Sequence, residues 1–203
     1  MLKWTMELLL RRRAAKIARR LAPHFGPAGE LLDIGCGTGH NAAALRARWP
    51  GLRVTETDVA DLKLVGGAPT LFDGLHLPFG DGQFEDGMML FVLQYCEDAV
   101  GLLGEARRVV RRRLLVWQST WRGGGAKAAL VAREYAQGRG AFHLARGCGL
   151  LRTPGCPLLP RIYYRREQLE SLFRTAGWRA VCCVPKEPPW LGLSRDLYVL
   201  ERD

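Results

Sequence analysis

The sequence has no long hydrophobic run, and this excludes a membrane-spanning helix. Its longest apolar stretch, near Met88–Leu93, is far shorter than the ~20 residues that cross a bilayer. A secretory signal is not expected either, because the apolar cluster Met6–Leu10 precedes the basic residues Arg11–Arg13, whereas basic residues come first in a signal peptide. We expect a cytoplasmic protein without stable membrane insertion.

Paired cysteine motifs are also missing. None of the six cysteines forms a Cys-X-X-Cys pair, which argues against a disulfide framework in a chain long enough to bury its own core. His143, Cys148 and Cys156 are neighbours in sequence, but their spacing does not fit the short ligand pairs of a zinc site. We predict no metal and free thiols, with Cys182 and Cys183 buried in a strand.

Acidic residues are the minority among the charged ones. The 203 residues include 20 Asp and Glu against 30 Lys and Arg, for a net charge of +10. This balance suits an anionic partner such as nucleic acid, although the arginines are spread along the chain. With 48% hydrophobic and 25% charged residues, the composition is that of a folded protein, and the length predicts a single domain over residues 1–203.

Strand and helix patterns alternate from Glu30 onward, which predicts a parallel α/β sheet. Before them, Thr5–Leu21 has the apolar spacing of an amphipathic helix, whose basic face is either solvated or a contact for nucleic acid or membrane, and residues 1–29 form a predicted helical cap. The predicted strands include LLDI, LRVTET, MMLFVL, LLVWQS, WRAVCCV and LYVLE, and the predicted helices are Asn41–Trp49, Val100–Val110, Ala126–Gln137 and Arg166–Ala176. We predict an α/β fold with a seven-stranded, mostly parallel sheet, an antiparallel terminal strand and helices on both faces.

A glycine-rich turn follows the first predicted strand, in the segment LLDIGCGTG at Leu31–Gly39. Glycines let a backbone turn tightly and lie against a ligand, and the helix that follows offers unpaired N–H groups to the ligand's polar atoms. The spacing is Gly-X-Gly-X-Gly, and His40 stands at the position where a dinucleotide fingerprint has its third glycine. The turn therefore favours S-adenosylmethionine over a nicotinamide dinucleotide.

An acidic residue ends the second predicted strand, about twenty residues beyond the glycine turn. Asp58 stands at that strand end and Glu56 within the strand. Strand ends line the ligand crevice of such folds, so Asp58 is the better candidate to accept hydrogen bonds from both ribose hydroxyls, with Glu56 as the competitor.

Three segments together resemble the class I S-adenosylmethionine-dependent methyltransferase family, in its small single-domain, type 11-like branch. They are LLDIGCGTG, VTETDVAD and LFDGLHLPFGDGQFEDGMMLFVLQYCED. The likeness covers about Leu31–Trp117, and Arg166–Glu201 agrees with the family's final helix and antiparallel strand pair. It implies a Rossmann-like fold. The chain departs from the family at Val110–Arg113, where a Pro-Gly-Gly turn is usual, and at Glu85, where an Asp is usual.

The resemblance also implies roles for the matching positions. Asp33 would order the glycine turn or reach the amino group of the methionine moiety, and Asp58 would hold the ribose. Asp73 would take the adenine amino group beside the backbone of Gly74, and Leu90, after the fourth strand, would lie near the methionine end. The predicted cofactor-binding residues are Asp33, Gly35, Cys36, Gly37, Gly39, Asp58, Val59, Asp73, Gly74 and Leu90.

Methyl transfer from a sulfonium needs positioning and desolvation more than a dedicated base. His143 is the predicted catalytic residue because its ordinary pKa suits proton transfer near neutral pH. Tyr95, Tyr163 and Tyr164 are further candidates. His143 lies in the irregular segment 121–165, and long irregular segments within a domain are often functional, so we expect this one to cover the acceptor site.

The acceptor is predicted to be a small or lipid-like molecule methylated at O, N or C, since the irregular segment supplies apolar walls at Phe142, Leu144, Leu150 and Leu151. One alternative is an RNA methyltransferase, and another is a non-catalytic adenosylmethionine-binding protein. The candidate RNA contacts are Arg139, Arg146, Arg152, Arg161, Arg165 and Arg166. An Asn/Asp-Pro-Pro-aromatic motif is missing after the fourth strand, which argues against methylation of exocyclic base amines. The sequence leaves the oligomeric state open.

Overall fold

The computed structural model describes residues 2–122, 126–134, 162–186 and 193–203. Its helices are α1 (Leu2–Leu21), α2 (His40–Arg48), α3 (Ala99–Val109), α4 (Ala126–Glu134) and α5 (Arg166–Thr175). Its strands are β1 (Ala28–Ile34), β2 (Gly51–Asp58), β3 (Thr70–Leu71), β4 (Phe84–Leu90), β5 (Val110–Trp121), β6 (Tyr164–Arg165), β7 (Trp178–Lys186) and β8 (Leu193–Arg202). Short 3-10 turns lie at Ala22–His24 and Leu93–Tyr95.

The strands form one mixed sheet in the order β3-β2-β1-β4-β5-β8-β7. The first five strands pair in parallel, and β8 lies antiparallel to both β5 and β7. The predicted fold class is confirmed, including the antiparallel strand near the end of the chain. An eighth short strand, β6, pairs in parallel with the last two residues of β5, so that residue 122 leaves the sheet close to where residue 163 returns.

Helices cover both faces of the sheet because side chains alternate along each buried strand. In β5, Leu114 and Val116 pack with α3 and α5 on one face. Leu115 and Trp117 point the other way, into a second core that contains the buried residues of α1 and α2. Because both faces are covered, the free edge for a ligand is the one where the parallel strands end.

Two connections between consecutive parallel strands contain no helix, unlike those of a typical α/β fold. No helix occurs among residues 59–69 or 72–83, which join β2 to β3 and β3 to β4. Helix α3 ends at Val109 and β5 begins at Val110. The helix therefore passes directly into the strand, without the Pro-Gly-Gly turn that is usual in the family.

Two details of the sequence prediction were wrong. The strand written as MMLFVL ends at Leu90 rather than running to Leu93, because Phe91 adopts a φ of 63°, which lies outside the extended region. Cys182 is exposed and Cys183 only partly buried, because β7 is an edge strand with less packed against it. Across the described ranges, no helix combines the length and apolar character needed to span a bilayer.

Candidate active site

The glycine turn lies between β1 and α2 and is anchored to the neighbouring strand. The backbone N–H groups of Gly35 and Cys36 both donate to the carbonyl oxygen of Thr57, at 2.8 and 3.1 Å. Gly35 has a φ of 76°, and a Cβ on it would lie 2.5 Å from Cγ2 of Val92. The first glycine is therefore required by conformation and by the close approach of the chain that follows β4.

The next two glycines differ in what surrounds them. Gly39, with a φ of 79°, caps α2, and a Cβ there would come within 2.6 Å of the carbonyl oxygen of Val65. Gly37 has a φ of 53°, and a Cβ there would meet nothing within 4 Å. Open space thus lies in front of the middle of the turn, which is where a ligand can approach the backbone.

Asp58 closes the turn from the end of β2. Its Oδ2 accepts a hydrogen bond from the Gly37 backbone at 2.8 Å, and its Oδ1 accepts one from the Val59 backbone at 2.8 Å. The side chain is buried, and desolvation raises the pKa of the carboxyl above its usual value.

The competing carboxylate, Glu56, is already engaged. It accepts a hydrogen bond from Nη2 of Arg46 at 2.7 Å and pairs with the buried ammonium group of Lys63. Asp58 therefore is the acidic side chain of β2 that faces the glycine turn, as the strand-end argument predicts.

Asp33 is the most unusual carboxyl group of the site. It lies near the end of β1, is 1% exposed, and its Oδ2 has no hydrogen-bond partner within the described residues. Desolvation, assisted by the nearby charges of Glu56 and Asp58, raises the pKa of Asp33 to about 8. A buried acceptor without a donor beside an open glycine turn fits a ligand that brings a donor or a positive charge.

Asp73, Gly74 and Val59 form the other side of the crevice. The position of a Cβ on Gly74 would be 3.5 Å from Cγ1 of Val59, whose side chain is half exposed. Asp73 is exposed and accepts hydrogen bonds from the backbones of Leu75 and His76 at 2.8 and 2.7 Å. Its hydrogen bond with the His76 ring, at 2.7 Å, is the main reason why the pKa of Asp73 falls to about 2.

Leu90 and Cys36, two of the predicted cofactor-binding residues, have buried side chains. Leu90 is the last residue of β4 rather than a residue after it, and its side chain is buried in the core beneath α1 and α2. Cys36 is also buried, and burial raises the pKa of its thiol well above the usual range. Their contact with a cofactor stays a prediction.

Two site residues were missed by the sequence reasoning. His40 is buried and links Oγ1 of Thr38, at 2.9 Å, to Oε2 of Glu7 in α1, at 3.1 Å, so it joins the turn to the first helix. A histidine directly after Gly-X-Gly-X-Gly was a visible signal, but its partner Glu7 is 33 residues away.

The other missed residue is Phe91, whose positive φ is rare for a bulky side chain. Its ring lies 5.9 Å from that of Trp117, with the guanidinium groups of Arg13 and Arg195 each 5.7 Å from its centre. Non-local packing sets this conformation, so no local sequence signal could have revealed it.

The predicted catalytic residue His143 lies outside the described residues, as do the apolar wall residues. Tyr164 is buried in β6, where its hydroxyl donates to the Leu93 carbonyl at 3.4 Å and desolvation raises its pKa to about 12, a poor value for a base near neutral pH. Of the predicted RNA contacts, Arg166 forms an ion pair with buried Asp196 and Arg165 lies over the ring of Trp121 at 4.4 Å. No cluster of potential metal ligands occurs in the described part of the chain.

Comparison with known proteins gives the family that this region resembles. Residues 32–115, which include the glycine turn, Asp58 and Asp73, match a family described as "Methyltransferase domain". Over this central region, the chain is therefore similar to methyltransferases.

Curated relatives share this central region. A demethylmenaquinone methyltransferase of Thermus thermophilus is 33% identical over 121 residues, which are 54% of this chain and 53% of the relative. The ubiquinone/menaquinone biosynthesis C-methyltransferase UbiE of Paracoccus denitrificans is 35% identical over 104 residues, 45% of this chain and 41% of the relative. The chain thus spans about half the length of the curated relatives it matches.

Solved structures show the same methyltransferase fold along most of the chain. Geranyl diphosphate C-methyltransferase from Streptomyces coelicolor, crystallised with geranyl diphosphate and S-adenosyl-L-homocysteine, has a TM-score of 0.66 and 16% identity, over 93% of this chain and 80% of that one. The [4+2]-cyclase SpnF has a TM-score of 0.65 and 14% identity, over 93% of this chain and 80% of that one. The fold therefore occurs in proteins named for more than one reaction.

Proposed function

We propose that this protein binds S-adenosylmethionine at the glycine turn and transfers its methyl group to a small or lipid-like acceptor. The observation that carries the proposal is the open space in front of Gly37, flanked by the buried carboxyl groups of Asp33 and Asp58. This arrangement lets a ligand come close to the backbone between two acidic groups. One of them, Asp33, has a carboxyl oxygen that accepts no hydrogen bond from the described residues.

Each part of the crevice suits one part of this cofactor. In this proposal, Asp33 accepts a hydrogen bond from the amino group of the methionine moiety, which would give its unpaired oxygen a donor. Asp58 accepts hydrogen bonds from the ribose hydroxyls, since a carboxylate can accept from both. The exposed face of Val59 offers an apolar surface for adenine, and Asp73 an acceptor for its amino group.

The cofactor supplies a methyl group on a sulfonium, which is reactive enough for an in-line displacement. The protein then has to hold donor and acceptor in line and keep water away. Phe91, which directly follows β4 and packs on the buried ring of Trp117, provides a partly exposed aromatic surface next to the turn. This role for the chain does not need a general base, and His143 stays a predicted catalytic residue.

A small, largely apolar acceptor is supported by the named relatives. Two curated relatives are named as a demethylmenaquinone methyltransferase and a ubiquinone/menaquinone biosynthesis C-methyltransferase, and one structural neighbour was crystallised with geranyl diphosphate. Another neighbour is a magnesium protoporphyrin IX methyltransferase, with a TM-score of 0.60 and 16% identity, over 95% of this chain and 83% of that one. We propose the same broad class of acceptor and a cytoplasmic location, where the free thiols of buried Cys36 and partly buried Cys96 stay reduced.

Calorimetric titration with S-adenosylmethionine, S-adenosylhomocysteine and NAD tests the cofactor assignment. We expect the two sulfur ligands to bind and NAD not to bind. Asp58→Ala should lose binding, whereas Asp81→Ala, a matched removal of an exposed carboxylate at Arg108, should bind as the unaltered protein does. Binding of NAD alone, or equal binding by both variants, would contradict the proposal.

A second candidate is an adenosylmethionine-binding protein that catalyses another reaction or none, because the cyclase SpnF has the same fold. Candidate acceptors, including prenylated quinols, should be supplied with radiolabelled cofactor. Methylated product with equimolar S-adenosylhomocysteine supports methyl transfer. The second candidate would be favoured if the protein binds the cofactor, transfers no methyl group to any acceptor tested, and converts an acceptor to an isomer of the same mass.

A further inference from the structure

Helix α1 carries exposed apolar side chains that the sheet does not bury. Trp4 is 82% exposed, Leu9 63% and Leu8 48%, and all three lie in the first half of the helix. Isolated exposed apolar residues are normal, but a neighbouring group that includes a tryptophan indicates a contact surface.

The second half of the same solvent-facing surface is basic. Its exposed residues are Arg11, Arg12, Arg13, Lys16, Arg19 and Arg20. Of these, Arg11 pairs with Glu7, and Arg13 and Arg20 lie over the rings of Phe91 and Trp117. Among the described residues, Arg12 and Lys16 form no ion pair. An exposed apolar end followed by exposed basic residues is the pattern of a helix that lies in a membrane interface rather than one that crosses it.

We propose that α1 docks the protein onto the surface of an anionic lipid bilayer. Trp4, Leu8 and Leu9 enter the boundary between headgroups and acyl chains, and the basic residues pair with anionic headgroups. Ala14, Ile17, Ala18 and Leu21 stay in the protein core, where they are buried now, so docking requires no unfolding of the helix.

The charge pattern and the chemistry of the exposed residues favour lipid over nucleic acid. Phosphate backbones attract arginine and lysine, but they give exposed leucine side chains nothing to bury against. The acyl boundary of a bilayer accepts both leucine and tryptophan. The surface therefore matches a partner with an anionic outer layer and an apolar interior.

Docking by α1 also orients the active site. The apolar half of the helix includes Glu7, which contacts His40 at the first residue of α2, directly after the glycine turn. The carboxyl edge of the sheet, where the crevice opens, therefore lies beside the end of α1 that enters the interface. A lipid-like acceptor could reach this edge without crossing bulk water.

Vesicle sedimentation tests the proposal with the full chain. Vesicles of phosphatidylcholine with phosphatidylglycerol should pull down the protein, and vesicles of phosphatidylcholine alone should not. The double charge reversal Arg12→Glu/Lys16→Glu should weaken binding by more than tenfold, since each basic residue near an anionic surface contributes about fivefold. The control Arg174→Glu/Arg202→Glu makes the same change in net charge elsewhere and should bind nearly as tightly as the unaltered protein.

The apolar contribution is tested separately with Trp4→Ala. This variant should bind anionic vesicles about tenfold more weakly, because it loses the free energy of burying an indole ring in the bilayer interface. Val181→Ala, an exposed apolar residue of β7 that is 43% exposed, serves as its control. Equal loss from both charge-reversal variants, or tight binding to RNA that Trp4→Ala leaves unchanged, overturns the proposal. Cofactor titration of the same variants should be unchanged, so a failure here is distinct from a failure of the proposed methyl transfer.

Discussion

Replacing Asp33 by asparagine gives the sharpest test of the site's electrostatics. The carboxyl group is fully buried, and its pKa is raised from 3.8 to about 8. In the unfolded chain the group ionises near pH 4, so the folded protein keeps a proton that the unfolded chain has lost. Stability from this proton is fully present below the unfolded pKa and is lost as pH rises through the folded pKa.

The size of the effect follows from the difference between the two pKa values. A tenfold change in proton affinity is worth 1.36 kcal/mol, so a pKa raised from 3.8 to about 8 corresponds to ~6 kcal/mol. Asparagine has nearly the same shape and does not ionise. The unfolding free energy of Asp33→Asn minus that of the unaltered protein should therefore rise by about 4 kcal/mol between about pH 5 and about pH 9.

Urea denaturation at a series of pH values measures this difference. The control is Asp81→Asn, whose carboxylate is exposed and should give a nearly flat difference across the same range. A flat difference for Asp33→Asn as well would refute the argument, because it would mean that Asp33 ionises in the folded protein as easily as in the unfolded chain.

Three further predictions concern the turn and its surroundings. Gly37→Ala should lose about 1 kcal/mol of stability because its φ is positive, and it should bind S-adenosylmethionine poorly in calorimetry. Gly35→Ala should lose about 3 kcal/mol of stability or more in urea denaturation, because its Cβ meets Val92. Adding Val92→Ala to Gly35→Ala should recover part of that loss. Glu56→Gln leaves the buried ammonium of Lys63 without its carboxylate and should cost about 3 kcal/mol by chemical denaturation, while Glu30→Gln, which removes an exposed pair with Arg53, should change stability by less than about 1 kcal/mol. The Asp73 carboxylate raises the pKa of His76, so NMR titration of the His76 ring should show a lower pKa in Asp73→Asn; an unchanged value would contradict the contact.

The sequence predicted the fold well, and it singled out the glycine turn and Asp58, because these features depend on local patterns. The alternation of apolar strands and amphipathic helices reflects burial on both faces of a parallel sheet. The turn at Gly35–Gly39 could be recognised because its backbone conformation needs glycine at fixed spacing. Asp58 could be preferred over Glu56 because strand ends are where ligands bind.

Other parts of the site depend on contacts between distant residues and could not be predicted. The ion pairs of Glu56 join β2 to α2 and to the loop that contains Lys63. The end of β4 at Leu90 follows from the packing of Phe91 against Trp117 and two arginines. A sequence pattern records which residues are apolar, but not which pairs of them meet.

The pairing of β6 with the end of β5 has a consequence for how the segment between these two strands can change. The segment between residues 122 and 163 starts and ends on neighbouring strands, and the indole N–H of Trp121 donates to the Tyr163 carbonyl at 2.9 Å beside this junction. The entropic cost of closing the segment between these two points depends only weakly on the length of the segment. If this segment covers the acceptor site, as the sequence predicts, acceptor preference can diverge by lengthening or exchanging it, while the sheet and the glycine turn keep their geometry.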